Sequence, residues 1–316
     1  MEMKYLSLFS GIGGFELGIQ QAYENMDNRG ITGASELAVH GDKPLSNDSD
    51  GDGWRTNPVC IGFSEIDKYA IQIYQQHFPE HKNYGDIKTI NASELPDFDL
   101  LVGGFPCQSF SIAGKRGGFS DTRGTLFFEI ARILKAKKPI QLLLENVKGL
   151  LSHDDGRTFK TIISTLDELG YDLQWQVLNS KNFGVPQNRE RVFIIGHFRG
   201  TSRPQVFPIT ESNSKTIKYY QGDISGKGYA SQQDRVFNTG GLMGTLPSSR
   251  TEDKIKILDE TLFRIRRLTP TEAERLQGFP DGWTEGVSDT QRYKCLGNAV
   301  TVNVIKEILT NLTRER

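Results

Sequence analysis

The sequence predicts an α/β protein: a mostly parallel sheet with helices on both faces, joined to a smaller mixed domain. Short apolar runs at 98–102 and 140–144 read as strands buried on both faces. They alternate with amphipathic helical stretches, the arrangement that builds parallel sheets. From about Phe198 the alternation fades into Gly, Ser, Thr, Gln and Lys, and order returns at Arg266. The expected division is a large unit over 1–197, a small unit over 198–284, and a helical return to the large unit over 285–316.

The first element is a strand at 5–9. Ser10-Gly11-Ile12-Gly13-Gly14 follows, then an amphipathic helix over 15–23. Glycines let a backbone approach a ligand, and a helix amino terminus presents free N–H groups. The spacing is not G-x-G-x-x-G, so a cofactor ending in an amino-acid carboxylate suits it better than a phosphate; a plain tight turn is the alternative. Residues 25–57 are polar and aperiodic and read as a loop insertion.

The second strand, 59–64, ends at Glu65, an acid placed to accept from both hydroxyls of a ribose. Asp67 caps a helix over 68–77. Residues 83–87 form a third short strand or turn, with Asp86 able to accept from an adenine amino group. Surface caps are the alternative for both acids.

The centre of the chain is Gly103-Gly104-Phe105-Pro106-Cys107-Gln108-Ser109-Phe110-Ser111. It puts one cysteine on the turn past a strand's carboxyl end, the edge where open parallel sheets bind ligands. A buried thiol is the alternative, but the fixed turn and the polar loop after it favour an exposed, reactive one. A helix over 124–137 presents Leu126, Phe127, Ile130, Ile133 and Leu134 on one face, and Pro139 ends it. The 140–144 strand leads to Glu145-Asn146-Val147, so Glu145 shares an edge with Cys107 unless it caps the next helix. A helix over 158–169 and a strand over 173–178 follow. Arg189 and Arg191, two apart at the mouth of a strand over 192–196, are expected to point the same way, towards one anionic or carbonyl-rich ligand; a solvated pair is the alternative. Thr269, Pro270 and Gly278 mark the cap, first turn and stop of a helix. A last helix is expected over 293–312.

Composition adds limits. The 316 residues carry 36% hydrophobic and 24% charged residues, so a large core is available. The net charge is −1, yet residues 199–267 hold 12 Lys/Arg against 7 Asp/Glu. That asymmetry suits a nucleic-acid contact. Three cysteines, Cys60, Cys107 and Cys295, argue against a disulfide framework and for a reducing compartment. No Cys/His spacing suggests a metal, and no signal core or membrane-length apolar run is seen. A cytoplasmic protein is expected, without membrane partner and acting as a monomer.

In their order these segments resemble the cytosine-C5 DNA methyltransferases, the bacterial modification enzymes above all. The matching stretches are Phe9 through Gly14, Gly104 through Ser111, Glu145-Asn146-Val147, Gln187-Asn188-Arg189-Glu190-Arg191, the 267–283 stretch and Gly297-Asn298-Ala299-Val300. The resemblance covers nearly all of the chain except 25–57 and the variable part of the small unit. It implies a Rossmann-like methyltransferase sheet that uses S-adenosylmethionine, with a smaller target-recognition domain and double-stranded DNA in the cleft between. Phe9, Gly11, Ile12, Gly13 and Gly14 would form the cofactor turn. Glu65 would hold the ribose, Asp86 with Ile87 the adenine, and Ile66 would offer apolar contact where relatives often stack an aromatic ring. Pro106, Leu126, Asn298 and Ala299 occupy further cofactor positions, and no metal is implied.

The resemblance also implies the chemistry. C5 of cytosine is too weak a nucleophile to take a methyl group unaided. The Cys107 thiolate would add at C6, Glu145 would serve N3, and Arg189 and Arg191 would hold the base oxygen and the cysteine loop. The base must be flipped out of the duplex. Gln108 and Ser111 would fill the gap or hold phosphate, and Lys115, Arg116 and Arg123 would meet the backbone. Lys227, Arg235, Thr245 and Arg250 would read or contact the target from the small domain. The implied role is protection of host or phage DNA, with a cognate restriction endonuclease in the same system but no stable complex. Two other readings stand beside it: a tRNA cytosine-C5 methyltransferase, or a DNA-binding regulator without catalysis.

Overall fold

The computed structural model describes residues 2–35, 58–106, 126–210, 222–223, 235–238, 243–246, 256–259 and 264–314. Six strands form the main sheet: β1 (Lys4–Leu8), β2 (Val59–Ser64), β3 (Leu100–Gly104), β4 (Gln141–Val147), β5 (Tyr171–Asn179) and β7 (Glu190–Phe198). Their spatial order is β2-β1-β3-β4-β7-β5. The first four are mutually parallel. β7 runs antiparallel to both β4 and β5.

The apolar runs divide by alternation between the two faces. Leu143 with Val102, Phe193 and Ile195 packs under α1 (Gly14–Ser35) and α7 (Val302–Arg314). Leu142 and Leu144 pack under α3 (Leu126–Lys137) and α4 (Arg157–Glu168), against Phe127, Ile130 and Ile162. A third cluster joins Ile12 and Ile73 of α2 (Lys68–His77) to α5 (Pro270–Gln277) and α6 (Asp289–Asn298), through Leu276, Phe279, Trp283 and Leu296. Each of Phe15, Ile73, Leu100, Leu142, Leu144 and Ile305 is fully or almost fully buried. Burial of that kind stabilises by about 1.5–3 kcal/mol per side chain.

The smaller part carries β8 (Gly222–Asp223), β9 (Arg235–Asn238), β11 (Lys256–Asp259) and β12 (Arg264–Arg267) in the order β12-β11-β9-β8. It also carries β10 (Met243–Gly244), which pairs with β6 (Gln187–Asn188) next to the main sheet. Among the described residues no helix is long and apolar enough to cross a membrane.

Four details differ from the sequence expectations. The helix after the glycine turn continues to Ser35 instead of ending near Tyr23, since a nucleated helix propagates through polar residues. Residues 83–87 supply one bridge, Asn83 to Phe63, and then a 3₁₀ turn, Ile87–Thr89, capped by Asp86. The last helix is two, α6 and α7, separated where Ala299 turns extended (φ −64°, ψ 150°). Finally, β7 breaks the parallel run, because side-chain alternation does not encode strand direction. The capped helix is as expected: Thr269 and Glu272 form a full capping box, Pro270 opens α5, and Gly278 ends it in the left-handed region.

Candidate active site

The carboxyl ends of β1, β2, β3 and β4 converge on one edge. At β1, the turn Ser10–Gly14 is closed by Gly13 N donating to Ser10 O at 3.1 Å. Gly11 has φ +57°, and a Cβ built there would meet nothing within 4 Å. Glycine is needed there for the dihedral, and space opens above it. At β2, the Glu65 carboxylate gathers three backbone donors: Gly11 N at 2.9 Å, and Ile66 N and Asp67 N at 2.8 Å each. Glu65 thereby locks the glycine turn to the tip of β2. Its neighbour Ile66 is 72% exposed, an uncompensated apolar side chain at the rim.

Asn83, not singled out from sequence, ties the next loop in. Its Oδ1 accepts from Gly85 N at 2.9 Å and its Nδ2 donates to Glu65 O at 3.2 Å. Ser64 Oγ donates to Gly85 O at 2.7 Å. These bonds tie the 83–85 loop to the tip of β2, and Asp86 follows, its Oδ1 accepting from Lys88 N at 3.0 Å. The turn after α6 closes the far side: a Cβ on Gly14 would stand 2.8 Å from Val300 Cγ1. Asn298 there is exposed and Ala299 buried. Ile12 and Ile87 are buried in the core, so only their backbones can face a ligand. Pro106 is exposed, Leu126 half-buried, and Phe9 half-buried at φ +54°. An open space over Gly11, an exposed apolar residue, a carboxylate at the tip of β2, a second capping the 3₁₀ turn and a polar Asn298 fit a cofactor with an amino-acid end, a ribose and an adenine.

A second group of polar side chains lies one strand over. Gly104 is paired in register with Glu145, and a Cβ on Gly104 would come within 3.1 Å of Glu145 Oε2. Arg191 Nε lies 3.0 Å from Glu145 Oε1, with both side chains largely buried. Asn146 is buried and donates through Nδ2 to Phe105 O at 2.9 Å, while its Oδ1 accepts from Val147 N at 2.8 Å. It fixes the chain two residues before Cys107. Glu145 lies inside β4 and caps no helix.

The two arginines do not share one role. Arg191 faces Glu145. Arg189 is 2% exposed, and its Nη2 donates to Gly297 O at 3.1 Å and to Ala299 O at 2.7 Å. Its Nε and Nη1 meet no partner among the described residues. Burial, with Arg191 nearby, pushes its guanidinium down to about 9, against the pull of Glu145, so it stays charged at neutral pH. Residues 187–189 do not continue β7, and the break turns Arg189 towards α6. In the small part, Thr245 Oγ1 donates to Asn188 O at 2.9 Å, next to Arg189. Cys107, Gln108, Ser111, Lys115, Arg116, Arg123, Lys227 and Arg250 lie outside the described residues, and of Arg235 only the strand position in β9 is described.

The chain matches the family model described as C-5 cytosine-specific DNA methylase over residues 3–240 and 219–314. It is 40% identical to the type II methyltransferase M1.ScrFI of Lactococcus lactis subsp. cremoris, covering 96% of this chain and 76% of that protein. It is 37% identical to M.NlaX of Neisseria lactamica, over 96% and 94%, and 32% identical to M.HhaI of Haemophilus parahaemolyticus, over 98% and 94%. Among solved structures, the S. pombe Dnmt2 methyltransferase superposes with a TM-score of 0.67 at 20% identity, covering 98% of both chains. A likeness at that identity concerns the fold alone.

Proposed function

The chain belongs to the C-5 cytosine-specific DNA methylases and is a DNA (cytosine-5-)-methyltransferase of the type II kind; on that premise we propose that it modifies a specific duplex site through a covalent adduct between Cys107 and cytosine C6. The observation that carries this reading is the Glu145–Arg191 pair at 3.0 Å, beside Gly104, at the mouth of the segment that leads to Cys107. S-adenosylmethionine, when bound, supplies an electrophilic methyl group. Glu65, Asp86, Ile66 and Asn298 would hold it, with the amino-acid end over the Gly11 turn.

The target cytosine is flipped out of the duplex to reach this edge. A Cys107 Sγ–C6 bond forms, and the C5=C6 electrons move into the ring. Glu145 holds a proton at N3 as charge builds there. C5 would then take the methyl group, the broken bond's electron pair staying on the donor sulfur and leaving S-adenosylhomocysteine. The hydrogen on C5 would pass as a proton to water, the C5=C6 bond re-form, and the Sγ–C6 bond break with its electrons returning to the Cys107 thiolate. Arg191 fixes the Glu145 carboxyl throughout. Lys115, Arg116 and Arg123 would meet the phosphates, with Gln108 and Ser111 at the vacated stack. Lys227, Arg235, Thr245 and Arg250 are assigned to the target, and the two units at 1–197 and 198–284 form its cleft.

We infer a protective role alongside a cognate endonuclease. A duplex bearing 5-fluorocytosine at the target, incubated with the enzyme and S-adenosylmethionine, is expected to give an adduct that survives denaturation, because fluorine cannot leave as a cation. Cys107→Ser should give none while still binding duplex. Absence of adduct with the unsubstituted enzyme removes the covalent route. Bisulfite sequencing of plasmid from an expressing host identifies the site, and resistance of that plasmid to an endonuclease of the same specificity tests protection.

A further inference from the structure

The glycine turn is held from below by a residue distant in the chain. Trp283 is 7% exposed, and its indole Nε1 donates to Ile12 O at 2.9 Å. Ile12 sits in the middle of the Ser10–Gly14 turn, whose Gly11 N–H is already given to Glu65. The carbonyl of Ile12 therefore points down while the space above Gly11 stays open.

The indole is itself fixed on every side. It stacks on the His77 imidazole with ring centroids 3.5 Å apart and planes 6° from parallel. His77 Nε2 lies 2.7 Å from Trp283 O. Phe279 and Phe78 flank the ring at 5.4 and 6.0 Å. The backbone around it hangs on the fully buried Glu274 carboxylate, which accepts from Gly282 N and Thr284 N at 2.8 Å each. Arg292 Nη2, at 3.0 Å, compensates that buried charge. The same ring wall touches the turn directly, since a Cβ on Gly13 would lie 2.7 Å from the Phe78 ring.

A phenylalanine would fill most of this space. The indole N–H therefore does something that packing does not require: it satisfies one buried carbonyl in the turn that the cofactor contacts. We propose that Trp283 is a positioning residue for the cofactor, holding the Ser10–Gly14 turn in the shape that receives the carboxylate end of the methyl donor. This rests on the S-adenosylmethionine reading given above.

The test is calorimetric titration of the full chain with S-adenosylhomocysteine. Trp283→Phe is expected to bind about tenfold more weakly, equal to about 1.4 kcal/mol. Its affinity for duplex is expected to be unchanged, and its cofactor-free thermal midpoint to fall by only several degrees, the cost of one buried carbonyl left without its donor. In steady state the KM for S-adenosylmethionine should rise with kcat held. Should Trp283→Phe fail to fold, His77→Phe keeps a stacked ring, removes the bond to Trp283 O, and is expected to show the same selective loss at about threefold. Equal affinity of the unsubstituted chain and the folded variant overturns the inference. No binding by the unsubstituted chain removes the methyl-donor reading itself, and the inference with it.

Discussion

Arg189 Nη2 donates to Ala299 O at 2.7 Å, so the segment that enters β7 is tied to the turn that ends α6. Arg189→Met would leave the carbonyls of Gly297 and Ala299 without that donor. Each such loss costs about 1–3 kcal/mol, partly offset by removal of a buried charge. A net loss of about 2 kcal/mol is expected in urea unfolding, with weaker binding of S-adenosylhomocysteine.

Glu145→Gln keeps the shape of the side chain and removes the proton that serves the base. Methyl transfer is expected to fall about 10²–10⁴-fold. Duplex affinity should change little, because the proposed role places the carboxyl on the base and not on the phosphates. Single-turnover tritium transfer measures the first and a filter-binding titration the second; unchanged turnover would remove Glu145 from the chemistry.

Glu16, in the first turn of α1, is 1% exposed, and Ser7 and Tyr74 face its carboxyl. Burial pushes its pKa up from 4.5 to about 7. A carboxyl raised in the folded state binds its proton more tightly there than in the unfolded chain. Stability is therefore expected to fall between about pH 4.5 and 7 and to level off above. The full effect is about 3 kcal/mol as an upper bound. Glu16→Gln should abolish that slope in urea unfolding followed across pH.

Glu272 closes the capping box of α5 and also accepts from Arg266 at 2.7 and 2.9 Å. The Arg266 hydrogen bonds draw its pKa down to about 2. A carboxyl lowered in the folded state stabilises above its unfolded pKa, and that contribution is lost as pH falls towards 2. Thr269→Ala is expected to cost about 1 kcal/mol at neutral pH, and Glu272→Gln to flatten the acid limb of thermal unfolding.

Much of the site is legible in the sequence because it sits where patterns end. Glu65 and Glu145 follow apolar runs, and an acid at such a tip must face the sheet edge. Gly11 and Gly13 stand between a strand and a helix, and Thr269-Pro270 spells a helix start. The partners of these residues are not legible. Arg189 and Arg191 look equivalent two apart, yet the interruption after β6 turns one towards α6 and leaves the other on Glu145. Trp283 lies 271 positions from Ile12, and no local period connects them. Asn83 could have been suspected, since Asn-Tyr-Gly-Asp is a turn whose first amide can bond its own backbone. β7 is legible as a strand but its antiparallel direction is not, since a buried strand reads alike in either direction.

The cofactor turn at 10–14 and the backing that Val300 gives to Gly14 come from opposite ends of the described chain. During synthesis the ribosome delivers the first long before the second. A nascent polypeptide paused before residue 297 would carry its glycine turn without the wall behind it. Methyl-donor capture should therefore begin only after the α6–α7 segment has emerged and docked.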